Sequence, residues 1–158
     1  MKKIRLVGII LLQVILYTGF AQNNQFKFNL VEGPNGKPLG KIQTIVQDPH
    51  GYMWFASQGE KCVYRYDGNQ LITYKHEDGN PNSLGITYIE TMYADAAGMI
   101  WIGGNGLDQY NPATGIFKHY PQDKKDSGRL SDGLISTIAN DEQGRLWVKS
   151  SHQKACPK

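Results

Sequence analysis

The sequence predicts an all-β fold: a partial β-propeller of about two and a half four-stranded antiparallel blades. Three observations carry this prediction. Glycine fills 18 of 158 positions, alongside nine Tyr and three Trp. This exceeds the usual glycine level of about 7% and suits short strands joined by tight turns. One pattern, I-x-T-[IM]-x-x-D-x-x-G-x-[MIL]-W-[FIV], occurs three times without a gap, at 42–55, 89–102 and 135–148. Its aspartates, Asp48, Asp95 and Asp141, are spaced by 47 and 46 residues, and a unit of about that length holding four strands is a propeller blade.

Residues 1–21 read as a signal peptide. Lys2, Lys3 and Arg5 precede an apolar run, Leu6 to Tyr17, interrupted only by Gly8 and Gln13. Small residues follow, and cleavage is expected after Ala21. The run is short of the roughly 20 residues that span a bilayer. The same segment holds three of the 17 basic residues and none of the 14 acidic ones, so the mature chain is neutral. A neutral chain has no electrostatic footprint for nucleic acid, and no such partner is expected.

Residues 22–37 are expected to give an N-terminal strand and lead-in, with Phe26–Leu30 offering an outer strand to the first or last blade. Blade 1 then covers 38–82, blade 2 covers 83–128, and a partial blade 3 with a divergent tail covers 129–158. Within a blade, Ile42–Gln47, Tyr88–Ala94 and Leu134–Asn140 read as first strands, being rich in apolar and β-branched residues. The D-x-x-G that follows is a turn: Asp suits its first position, Pro49 its second, and Gly51, Gly98 and Gly144 supply positive φ at its end. The Trp strand returns antiparallel. In blade 2, Gly103-Gly104-Asn105-Gly106 turns into a third strand at Leu107–Tyr110. Asn111–Gly115 then turns into a fourth at Ile116–Tyr120. Trp54, Trp101 and Trp147 hold the same repeat position and are assigned to the gaps between blades. Burial there stabilises each junction by a few kcal/mol, at ~25 cal/mol per Å2 over ~150–250 Å2. An incomplete set of blades forms an open wedge with an uncovered apolar face.

The search for chemistry finds no catalytic, metal-ligating or cofactor-binding constellation. His50, His76, His119 and His152 lack metal-ligand spacing and read as surface residues. Asp48, Asp95 and Asp141 are explained by their turns. There is no G-x-S-x-G, H-E-x-x-H or phosphate-binding glycine loop. Cys62 and Cys156 are not a disulfide scaffold. Ligands in propellers fall to loops at one end of the channel, which singles out 56–62 and 103–106 without naming binding residues. The positions assigned a structural role are therefore Asp48, Gly51, Trp54, Asp95, Gly98, Trp101, Asp141, Gly144 and Trp147.

At these residues the chain resembles the two-component regulator propeller repeat, which reads D-x-x-G-x-[IL]-W-[IV]-G, Gly-Leu, Tyr-[DN] and F-x-x-Y. Asp95 to Tyr120 matches almost throughout, at Trp101-Ile102-Gly103, Gly106-Leu107, Tyr110-Asn111-Pro112 and Phe117-Lys118-His119-Tyr120. Asn80–Leu84 is similar to the inter-blade loop of that family, and the resemblance covers about residues 26–148. Blade 1 departs from it at 55–63, so its loop is expected to have its own conformation. Blade 3 stops matching after Val148.

The resemblance implies the N-terminal, truncated part of the periplasmic sensor region of a hybrid histidine kinase of the Bacteroidetes type. It implies an oligosaccharide ligand, no enzyme activity in this chain, and no cofactor. The partners would be the missing blades and the kinase region, with a homodimer only for full-length, inner-membrane-anchored relatives. Rival readings are a secreted polysaccharide lyase or hydrolase and a non-signalling carbohydrate-binding propeller.

Overall fold

The computed structural model describes residues 27–120, 122, 130 and 133–151. The signal peptide expected over 1–21, together with Phe26, His152 and Cys156, lies outside the described residues. The chain divides between Leu30 and Val31. Of the first unit, residues 27–30 carry no secondary structure, with Phe28 and Leu30 exposed. The strand expected over Phe26–Leu30 is thus not formed at 27–30, the part of it that is described.

Three antiparallel sheets make up the described part of the second unit. The first runs β1 (Ile42–Gln47), β2 (Met53–Ser57), β3 (Cys62–Tyr66), β4 (Leu71–Lys75). The second runs β5 (Ile89–Ala94), β6 (Ile100–Gly104), β7 (Leu107–Asn111), β8 (Ile116–Tyr120). The third is the pair β9 (Leu134–Asn140) and β10 (Leu146–Ser151). Contacts between successive sheets concentrate on their first strands, β1 with β5 and β5 with β9, so the sheets fan outward as propeller blades do.

The D-x-x-G turn is the same device three times. Gly51, Gly98 and Gly144 have φ of 90°, 82° and 75°, the left-handed region that favours glycine. Each donates its N–H to the aspartate carbonyl at 2.9–3.0 Å. The aspartate side chain does more than the sequence revealed. Its Oδ1 accepts two backbone N–H groups across the turn, from His50 and Tyr52, Ala97 and Met99, or Gln143 and Arg145. Its Oδ2 accepts the indole N–H of the tryptophan six residues on, at 2.8 Å for Asp48–Trp54 and 2.9 Å for both Asp95–Trp101 and Asp141–Trp147. Turn and inter-blade anchor are thus fixed by one carboxylate, which spares a buried indole N–H the cost of having no partner.

A bulge recurs as well. The register skips Gln43 in β1, Glu90 in β5 and Ser136 opposite β10, the same position of each repeat. The extra residue breaks strict alternation. It lets Ile89 and Met92 share the face toward blade 1, and Ile135 and Ile138 the face toward blade 2.

Packing follows from these devices. Trp54, Ala56 and Val63 of sheet 1 meet Ile100, Ile102, Tyr110 and Phe117 of sheet 2, with Leu84 and Ile86 of the connection sealing the junction. On the opposite side of sheet 2, Trp101 and Leu107 pack with Ile135 and Ile138 of sheet 3. Trp54 is 0% exposed, Trp101 is half-buried, and Trp147, with no described sheet beyond it, is 60% exposed. The outer side of sheet 1 is partly covered by Val31 and Leu39, which pack on Phe55, Cys62 and Tyr64.

Besides the extension of β7 to Asn111, where the turn is expected to begin, three details differ from expectation. First, β5 begins at Ile89, because the N–H and carbonyl of Tyr88 pair with the side chain and N–H of Asn105. Second, Gly103 and Gly104 belong to β6, and the turn is only Asn105-Gly106. Glycine is required at 104, where a Cβ would lie 1.7 Å from the Tyr88 carbonyl oxygen. Third, β10 continues to Ser151, past the end of the sequence match, because ladder pairing with β9 needs backbone and not a particular side chain. The blade 1 loop does have its own geometry, a four-residue turn at 58–61 with Lys61 at φ 51°.

Candidate functional site

An antiparallel meander places the β1–β2 and β3–β4 turns at one end of a sheet. The β2–β3 turn and the connection to the next sheet lie at the other. At that second end an open cleft of about 720 Å3 lies between the β4–β5 connection and the loops of sheet 2, lined by His76, Glu77, Asn80, Asn105, His119 and Tyr120, among others. Of the two loops singled out from the sequence, 103–106 contributes Asn105 and Gly106 to the cleft. Loop 56–62 does not line it, and its Ser57 hydroxyl is spent on the Leu39 carbonyl at 3.0 Å.

The connection forming one wall is tightly organised. Asn80 Oδ1 accepts the Asn82 N–H, and the Ser83 hydroxyl bonds the Asn80 carbonyl at 2.8 Å while accepting the Glu77 N–H. Leu84 and Ile86 then enter the core as apolar anchors. From the other wall, Asn105 Oδ1 accepts the N–H groups of Thr87 and Tyr88, both at 3.1 Å.

Asp108 and His119 form the floor. Asp108 is 2% exposed. Its Oδ2 accepts the N–H groups of Gly85 at 2.6 Å and Ile86 at 3.3 Å, and its Oδ1 faces His119 Nδ1 at 2.7 Å. The other ring nitrogen, Nε2, lies 2.9 Å from the Pro81 carbonyl. Burial pulls the His119 imidazole down, but the bond to Asp108, its negative charge and the Pro81 carbonyl outweigh that and leave it above the ordinary histidine value. Both ring nitrogens are thus engaged within the fold.

His119 is an exposed residue, as expected, yet its ring holds two partners. His76 is likewise engaged, through Nδ1 to the Leu84 carbonyl at 2.8 Å and an approach of Nε2 to Asp78 at 3.4 Å. His50 is exposed in its turn. A signal for the Asp108–His119 pair was present in the sequence. Once Tyr110 is set opposite Phe117, the register places Asp108 opposite His119. Blade 1 has Tyr64 opposite Thr73 at the corresponding place, so the pair belongs to blade 2.

Asp48, Asp95 and Asp141 lie in turns closed by Gly51, Gly98 and Gly144, and Trp54, Trp101 and Trp147 lie in β2, β6 and β10. Among the described residues no group of three His, Cys, Asp or Glu is arranged to hold a metal ion, and no helix is long and apolar enough to cross a membrane.

Residues 36–59 match the family described as the two component regulator propeller. Among solved structures, the chain is similar to the extracellular domain of a protein described as a hybrid two component system from B. thetaiotaomicron. The TM-score is 0.60 and the identity 27%, over 69% of this chain and 16% of that one. It is also similar to the extracellular domain of a one component system from the same organism, at TM-score 0.56 and 22% identity over 70% of this chain and 15% of that one. A third likeness, to virginiamycin B lyase from Staphylococcus aureus, has TM-score 0.56 and 13% identity over 82% of this chain and 40% of that one. The last two likenesses show the fold alone. No curated protein matches the chain.

Proposed function

From a chain that carries the two-component regulator propeller repeat, we infer a ligand-sensing propeller segment of an exported signal-transduction protein. In this reading the segment is non-catalytic, acts in the periplasm, and contributes its blades to a longer sensor whose kinase lies elsewhere. The observation that carries it is the joint likeness of repeat and fold to the extracellular domain of a hybrid two component system. Trp147 has no described sheet over it and is 60% exposed, whereas the equivalent Trp54 is buried by the sheet that follows it, which is in keeping with a longer propeller.

The ligand proposed is an oligosaccharide, entering at the cleft beside the β4–β5 connection. A polar rim of carboxylate, amide and imidazole groups suits a solute with many hydroxyls, and Tyr120 lines the same cleft while its ring packs on Trp101 and under the Lys118 ammonium. Such a ligand would shift the sensor only by binding one arrangement of the blades better than another.

Calorimetric titration of the full chain with oligosaccharides from enzymatic digests of plant and host polysaccharides tests the reading, with Tyr120→Ala as control. Binding by at least one saccharide, weakened in the variant, is the expected result. No heat from any saccharide, or binding indifferent to Tyr120, would remove the cleft from the proposal.

A further inference from the structure

The β4–β5 connection is held to sheet 2 by a cluster in which His119 is central, and the donor count at this residue is unusual. A carboxylate oxygen and a backbone carbonyl oxygen are both acceptors. His119 Nδ1 faces the first, Asp108 Oδ1, at 2.7 Å, and Nε2 faces the second, that of Pro81, at 2.9 Å. Only the imidazolium carries an N–H on both nitrogens. The neutral ring has one, so it must give up one of these contacts. The other side of the ring lies flat on Gly85, where an added Cβ would come within 2.5 Å of Nδ1. The Gly85 N–H is in turn bound by Asp108 Oδ2 at 2.6 Å. Ring, carboxylate and connection therefore interlock.

We propose that His119 is a proton-controlled latch on the inter-blade connection, closed on Pro81 as the imidazolium and released there on deprotonation. The neutral ring keeps its single N–H for Asp108, because a carboxylate is a stronger acceptor than a peptide carbonyl. The Pro81 end is then freed, while Leu84 and Ile86 stay anchored in the core. The titratable and charged groups around the latch are Asp108 on β7, His76, Glu77 and Asp78 on the connection, and Lys118 and Tyr120 beside it on β8. Asp108 touches the ring. His76 is turned to Leu84 and Asp78, and the Lys118 ammonium lies over the Tyr120 ring at 4.8 Å. The raised His119 value agrees in direction. A raised value means that the latch contributes fully below the unfolded histidine value of about 6.5 and that its contribution fades as pH rises through the folded one. The inference concerns the connection itself and stands whatever the cleft binds.

Nuclear magnetic resonance of the full chain between pH 5 and 9 (roughly bracketing the ordinary histidine value) tests it. The His119 ring nitrogens should both be protonated near the ordinary histidine midpoint and titrate above it. The Asn82 amide nitrogen, bonded to the Pro81 carbonyl carbon, should shift with the same midpoint. Asp108→Asn should bring the midpoint down. Thermal midpoints should fall with rising pH in the wild type and stay flat over that window in His119→Gln. A His119 midpoint at or below about 6.5, or an Asn82 resonance indifferent to it, overturns the latch. If either variant fails to fold, the wild-type titration decides alone.

Discussion

The graded burial of three equivalent tryptophans makes a quantitative prediction. Trp54, Trp101 and Trp147 share a repeat position and an aspartate partner, and differ in what lies over them. Full burial of an indole hides about 200 Å2, which at about 25 cal/mol per Å2 amounts to about 5 kcal/mol. Trp54, at 0% exposed, is placed near that limit, and its truncation to alanine falls in the range of about 3–5 kcal/mol found for large core side chains. Trp147 is 60% exposed, so about 80 Å2 is hidden and about 2 kcal/mol is at stake. Trp101 should fall between. The gap of about 3 kcal/mol between the extremes is about a hundredfold in the unfolding equilibrium. Urea denaturation followed by far-ultraviolet circular dichroism measures it, since the ladders report folding without using the mutated indole. Midpoints should order as Trp54→Ala below Trp101→Ala below Trp147→Ala, with a common slope. Equal losses at Trp54 and Trp147 would refute the idea that each tryptophan is sheltered by the succeeding blade.

Further outcomes follow from single contacts. Asp48→Ala strands the indole N–H of a fully buried Trp54 and uncaps the turn, a loss of about 1–3 kcal/mol in urea denaturation. Asp141→Ala should cost less, because Trp147 can bond to water. The Trp147 indole and Arg145 hold the Asp141 carboxyl below the usual carboxylate range, so its contribution is present at neutral pH and lost as pH falls through that depressed value. The Trp147 indole N–H resonance should titrate below pH of about 3.9, and a midpoint at or above it would exclude the bond. Gly104→Ala forces a methyl against the Tyr88 carbonyl, and a loss toward the top of about 1–3 kcal/mol is expected in thermal melts. A melt unchanged from wild type would show that the Tyr88 carbonyl and Gly104 do not approach as closely as described. Mass spectrometry of chain recovered from the periplasm should give a mature N-terminus at Gln22, and an intact Met1 there would count against the signal peptide.

The blades were legible because their signals are local. Asp, Gly and Trp at fixed spacing specify a turn and a returning strand within fourteen residues, and Ile42–Gln47, Leu134–Asn140 and Ile116–Tyr120 are strands over the ranges expected. Local pattern could not show the bond from Asp48 to Trp54, because turn formation alone accounts for an aspartate there. Nor could it show that Asn105 would claim the backbone of Tyr88, since that contact joins a turn to a connection seventeen residues away. The cleft was harder still. Its groups come from β7, β8 and a connection without regular structure, and His119 looks like any surface histidine until its cross-strand neighbour and Pro81 are known. Repetition reveals what every blade needs; Asp108 and His119 belong to one blade alone.

The skipped residue at the start of each blade sets a rule about length rather than identity. Gln43, Glu90 and Ser136 share little beyond polarity, and at Glu90 and Ser136 the skip lets the two neighbouring apolar side chains land on the same surface. Any of them should be freely exchangeable for another polar residue, while deleting one would rotate the isoleucine before it toward solvent and misalign the whole blade. A family of such propellers would therefore keep this slot occupied while letting its occupant drift, and an alignment scored by residue type alone would overlook one of the more exacting positions in the repeat.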